Sequence, residues 1–170
     1  ASLPDFNPNQ FGRVNDDARF NRATKGLYEM GSTFKVLNTA IALETGAANI
    51  NQRFEVAKPL RISRFTITDY KPRVRPLNVP EIMVYSSNIG SARIAEAIGA
   101  ETQRAYMDKL GLLDRLPLQL PETSKPLSPK TWRRTTTATV SYGHGISISM
   151  VHLASAIAAA AGTGHWIAPT

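Results

Sequence analysis

Gly31-Ser32-Thr33-Phe34-Lys35 and, with its serine 54 residues beyond Ser32, Tyr85-Ser86-Ser87-Asn88-Ile89-Gly90 are the two strings that decide the reading of this 170-residue chain. The first opens a helix, because Phe34, Leu37, Ala40 and Ile41 recur at helical spacing until Gly46 closes it. Ser32 and Lys35, at i and i+3, then share one helix face with their polar ends in hydrogen-bond reach. A serine hydroxyl is a poor nucleophile until a neighbour takes its proton. A lysine can take it only when burial or a nearby positive charge leaves the amine neutral. Placing that serine at a helix start adds the favourable end of the helix dipole and a backbone N–H for a developing oxyanion. A bare Ser-x-x-Lys arises about 0.7 times by chance in a chain of this length and ordinary composition. Alone, it also reads as a helix that starts with Ser and shows Lys to solvent.

The second string lies between two helical stretches, Val79–Tyr85 and the segment from Ile89 to Gly99, where Ala92, Ala95 and Ile98 keep helical spacing. Its serine and carboxamide could pass a proton and hold a substrate amide. They are equally ordinary N-cap residues, and a bare Ser-x-Asn arises about 0.5 times by chance. Further out, residues 1–28 read as loop with a short helix around Asp17–Ala23. Between Phe54 and Pro80 the apolar residues alternate with prolines, which predicts short extended pieces or hairpin fragments. Glu101–Leu110 predicts a helix ended by Gly111, residues 112–139 read as irregular, and Ser149–Ala161 predicts an Ala-rich last helix.

Composition sets limits on function. A hydrophobic content of 42% with 19% charged residues describes a folded globular chain. The longest apolar run, Met150 to Ala161, is interrupted by His152 and Ser155 and falls short of the roughly 20 residues that cross a bilayer. With no cysteine, disulfides, thiol nucleophiles and Cys-based zinc sites are excluded. The net charge of +7 comes from scattered residues such as Lys71, Arg73, Arg75, Arg133 and Arg134. They are not interleaved with aromatics as a strand-stacking surface requires, so a solvated basic face explains them better than a nucleic-acid site. His144, His152 and His165 share no metal-ligand spacing. Of the three, His144 between two glycines could line the rim of a site.

Taken in order, Ser-x-x-Lys and then Ser-x-Asn match the start of the pattern of penicillin-binding proteins and class A β-lactamases, which ends in Lys-Thr-Gly. Their flanking residues, Ser2-Leu-Pro-Asp-Phe-Asn-Pro-Asn9, and Tyr142-Gly-His-Gly-Ile-Ser147 leading into the Ala-rich helix, resemble class B penicillin-binding proteins over nearly all 170 residues. The Ser86-Ser87-Asn88 form is similar to the division-type, septal D,D-transpeptidase branch. The resemblance implies that Ser32 attacks the penultimate D-Ala carbonyl of a peptidoglycan stem peptide and Lys35 accepts its proton. Ser86 would relay a proton to the departing amine, and Asn88 would bond the acyl donor and Lys35. Ser87 and His144 are candidates for contact with substrate. It also implies stem peptides and their lipid-linked precursor as substrates, β-lactams as inhibitors, division proteins as partners, no nucleic acid, and no metal or organic cofactor. The protein would be periplasmic, on a single-pass inner-membrane anchor outside this segment.

Two departures qualify that resemblance. Val36 stands where the family most often has Pro, and no Lys-Thr-Gly or Lys-Ser-Gly occurs; Lys130-Thr131-Trp132 cannot stand in, because Trp denies the close backbone approach that Gly allows. In the family the missing string follows the Ala-rich helix on a sheet-edge strand. Residues 1–170 are therefore expected to be a single partial transpeptidase domain, cut at both ends. The expected fold is a mostly α segment of an α/β transpeptidase domain, with most of the central antiparallel sheet elsewhere. Alone, such a segment would leave apolar helix faces bare, and neither good folding nor catalysis is expected of it. A serine β-lactamase or penicillin-sensor domain, and a non-catalytic basic helical interaction domain, remain as alternatives.

Overall fold

The computed structural model describes residues 2–170, which are helix-rich. In order come α1 (Asp16–Arg19), α2 (Phe34–Glu44), β1 (Arg53–Phe54), β2 (Leu60–Ile62), β3 (Phe65–Ile67), β4 (Leu77–Asn78), α3 (Val79–Val84), α4 (Asn88–Ile98), α5 (Ala100–Lys109), α6 (Arg134–Val140) and α7 (Met150–Ala161). The mostly α expectation holds. The extended text between Phe54 and Pro80 resolves into two antiparallel pairs, β1 with β4 and β2 with β3. The β2–β3 hairpin places Leu60 opposite Ile67 and Ile62 opposite Phe65.

α4 is the axis of the structure, packed against α2 on one side and α6 on the other. Ile89, Ala92, Ile94, Ala95 and Ile98 of α4 are buried, and from α2 Phe34, Leu37 and Ile41 join the same core. A chain of polar side chains inside this core is paired, as burial demands. The Asn38 carboxamide donates to the Ser91 carbonyl at 3.1 Å. Gln103 donates to Asn38 at 3.3 Å and to the Thr137 carbonyl at 3.1 Å, and it accepts the Trp132 indole N–H at 2.8 Å. This chain of bonds joins α2, α4, α5 and α6.

Helix starts are set by side chains. Asn78 and Glu81 form a reciprocal capping box on α3, Ser87 caps α4 through the Gly90 N–H, and Ser149 caps α7 through the His152 N–H. Two expectations are revised. The first helix is short, Asp16–Arg19, because the Asn21 side chain takes the N–H groups of Ala23 and Thr24 and turns the chain away from helix. The stretch read as irregular contains α6, whose Thr-rich sequence has poor helix propensity; the buried Thr137, Ala138 and Val140 form it by packing.

Candidate active site

Gly31 adopts φ +57°, a left-handed conformation suited to glycine. From it a single tight turn, Gly31–Thr33, leads into α2. Ser32 therefore sits exposed on the turn ahead of the helix, while Lys35, one turn on, is 1% exposed. No capping bond is made by Ser32; its hydroxyl faces the lysine. Lys35 Nζ donates to Ser32 Oγ at 3.1 Å, to the Ser86 carbonyl at 2.6 Å and to Ser86 Oγ at 2.9 Å. Ser86 Oγ closes the triangle by donating to Ser32 Oγ at 3.1 Å. Two segments 54 residues apart in sequence thus present one lysine and two hydroxyls to each other.

Burial is the larger influence on Lys35 and the Asp69 carboxylate opposes it, leaving the amine lowered from 10.5 to about 8. At pH 7 about a tenth of such lysines are neutral, against almost none for a free lysine. The arrangement can deprotonate a serine, and the three N–H bonds explain how. An ammonium fills all three acceptors; a neutral amine keeps two N–H groups for Ser86 and turns its lone pair to Ser32.

Ser86 holds φ +52°, which is costly for a residue with a side chain. The residues after it anchor the loop. Ser87 was expected to touch substrate, but it is 1% exposed. Its hydroxyl donates to Asp69 Oδ2 at 2.6 Å and accepts from the Gly90 N–H at 2.9 Å, so it supports the loop from within. Asn88 makes no bond to Lys35; its side-chain N–H donates to the Thr68 carbonyl at 3.4 Å. Asp69, just after β3, receives the backbone N–H groups of Asn88 at 2.6 Å and Ile89 at 3.0 Å. Nothing local in the sequence marks that aspartate, since every partner lies 18 to 20 residues away.

Residues 142–148 pack beside the turn that carries Ser32. Tyr28 and Ile148 exchange backbone bonds at 2.9 and 3.0 Å, and the Gly31 N–H donates to the Gly143 carbonyl at 3.4 Å. The backbones meet so closely that a Cβ on Gly143, itself at φ +78°, would overlap the Gly31 N and O. His144 lies beside this contact, its Nδ1 3.5 Å from Glu29 Oε2, and Glu29 Oε1 accepts the Gly145 N–H at 2.7 Å. Ser32, Lys35 and Ser86 are thus brought together, with Ser87 buried behind Ser86, whereas His144 sits next to the Gly31–Gly143 backbone contact and makes no bond to the three.

The model of the penicillin-binding protein transpeptidase domain matches residues 1–170. The chain belongs to that family. Similar to this transpeptidase chain is the probable peptidoglycan D,D-transpeptidase FtsI of Caulobacter vibrioides, 41% identical over 157 residues, which are 92% of this chain and 27% of that protein. The probable peptidoglycan D,D-transpeptidase PenA of Neisseria gonorrhoeae is 34% identical over 162 residues, 94% of this chain and 27% of its own length. The chain therefore spans about a quarter of the curated relatives it matches. Among solved structures, a peptidoglycan glycosyltransferase from Burkholderia ambifaria superposes with a TM-score of 0.78 at 31% identity, covering 86% of this chain and 47% of that one. The apo transpeptidase domain of Burkholderia pseudomallei penicillin-binding protein 3 gives 0.77 at 30%, covering 83% and 43%. The helix-rich fold with two small sheets is thus part of a transpeptidase domain fold.

Proposed function

We propose that the protein carrying this chain is a serine D,D-transpeptidase that cross-links peptidoglycan at the division septum. The observation that carries the reading is the Ser32–Lys35–Ser86 triangle around a buried amine lowered to about 8. Neutral Lys35 takes the Ser32 proton as Oγ attacks the penultimate D-Ala carbonyl of a stem peptide. The tetrahedral intermediate collapses with cleavage of the D-Ala–D-Ala amide, and the proton returns through Ser86 Oγ to the departing amine. An amine of a second stem peptide then attacks the acyl-enzyme, releases Ser32 and forms the cross-link.

Asn88 and His144 are the side chains we assign to the acyl donor. Ser87 acts behind them. A β-lactam enters by the same attack and stays as the acyl adduct. The relatives carry transpeptidase names rather than β-lactamase ones, which favours cross-linking over hydrolysis, and the FtsI name supports a role in division with division proteins as partners. We place the catalytic region in the periplasm of a bacterium and its inner-membrane anchor outside this chain, where no helix among the described residues is long and apolar enough to cross a membrane.

The test is covalent labelling of the full-length protein by a fluorescent penicillin, read by intact mass. Wild type should gain one adduct at Ser32 and Ser32→Ala none. A folded wild type that takes no label sinks the reading, and rapid release of the label would mark a β-lactamase instead.

A further inference from the structure

We propose that Asp69 is a positioning residue for acylation, one that ties the Ser86–Asn88 loop to the end of β3 through its carboxylate oxygens and acts on Lys35 through its charge. The proposal rests on Ser32 being the acylated nucleophile. Its geometric ground is the set of contacts at the α4 start: Ser87 Oγ on Oδ2 at 2.6 Å, and the Asn88 and Ile89 N–H groups on Oδ1 at 2.6 and 3.0 Å. Such bonds to an ionised acceptor are short and strong. They also satisfy two N–H groups in the first turn of α4 that the Ser87 cap on Gly90 leaves open.

This tie matters one residue earlier. Ser86 is held in its left-handed conformation between two pulls, Asp69 acting on Ser87 and Asn88 behind it and Lys35 Nζ bonding its carbonyl and hydroxyl in front. Release of the rear pull would let Ser86 leave the reach of Ser32 and Lys35. A misplacement of about 1 Å at a reacting group costs on the order of a hundredfold in rate.

Charge is the second ground. Burial drives the Lys35 amine towards neutrality, and Asp69 is the carboxylate that resists it. The other ionisable groups around the cleft are Tyr85 with Arg73 stacked on its ring, Tyr142, and the His144–Glu29 pair. None of them enters the balance on Lys35. Asp69 thereby favours the ammonium form of Lys35, in which every N–H bond to Ser32 and Ser86 is in place.

Asp69→Asn removes the charge and keeps most of the tie, because its carboxamide oxygen still accepts from Asn88 and Ile89, and its NH2 donates to Ser87 Oγ in place of the bond that Ser87 now donates. The full-length wild type, Asp69→Asn and Asp69→Ala are acylated with a fluorescent penicillin across pH 5 to 10. In parallel, Lys35 is titrated by NMR of 13C-labelled lysine. For Asp69→Asn we expect label at Ser32, with the rising limb of the rate profile and the Lys35 titration both moved to lower pH. For Asp69→Ala we expect a loss on the order of a hundredfold that persists at high pH, where Lys35 is already neutral. A profile and a Lys35 titration that Asp69→Asn leaves unmoved would overturn the proposal and make Asp69 a plain structural tie. Wild type that fails to label at Ser32 would instead overturn the transpeptidase reading, and the NMR titration would still decide whether the Asp69 charge reaches Lys35.

Discussion

Replacing Lys35 by Met should destroy acylation and stabilise the protein, with a gain that depends on pH. Burial lowers the lysine from 10.5 to about 8, so between these values the unfolded chain binds a proton that the folded one does not. At about 1.4 kcal/mol per pH unit, the gap amounts to about 3 kcal/mol against folding. For a base whose folded value is depressed, this penalty is in full below pH 8, shrinks as pH rises, and is gone above 10.5. Water reaching the exposed Ser86 and Ser32 at the cleft mouth screens part of it, so the net gain at pH 7 should be about 1 to 3 kcal/mol. Met has nearly the length of the lysine stem and no polar end to bury, and water can take the bonds that Ser86 loses. Each kcal/mol should raise the melting temperature by roughly 2 to 4 °C. Urea unfolding of wild type and Lys35→Met at pH 7, 9 and 10.5 gives the difference directly. A variant less stable than wild type at pH 7, or an advantage that stays constant to pH 10.5, would refute the claim that a depressed lysine is maintained at a cost to stability.

Two further substitutions probe the frame around the site. Gly143→Ala forces a Cβ onto the Gly31 backbone and into a left-handed conformation; it should cost about 1 to 3 kcal/mol and slow penicillin labelling at least tenfold, as unfolding and labelling rates will show. Gln103→Ala strands the Trp132 indole N–H and the Asn38 carboxamide in the core, and should lower stability by about 2 to 4 kcal/mol in denaturant titration while leaving the pH profile of labelling unchanged.

Local signals were legible in the sequence wherever neighbours in the chain do the work. The i, i+3 spacing of Ser32 and Lys35 foretold their contact, and Gly46, Gly99 and Gly111 mark helix ends near where they occur. The helix start was missed by two residues, because a left-handed Gly31 inserts a tight turn that frees Ser32 from capping duty. α6 was hidden because four of its seven residues, Thr135, Thr136, Thr137 and Thr139, are β-branched threonines in need of packing against α4. Ser87 shows the limit most clearly. In the string it is indistinguishable from Ser86, and only the loop's fold turns one hydroxyl into the cleft and the other down onto an aspartate.

Lys35 is the group that fastens the Ser86 loop as well as the proposed proton acceptor, and this dictates how an inert form of the protein should be made. Removing the lysine would slacken the loop along with silencing the chemistry, so a ligand trapped that way would be seen in a relaxed cleft. Ser32→Ala removes a single oxygen and leaves both bonds from Lys35 to Ser86 intact. It is the form in which an unreacted stem peptide should be captured in its working pose.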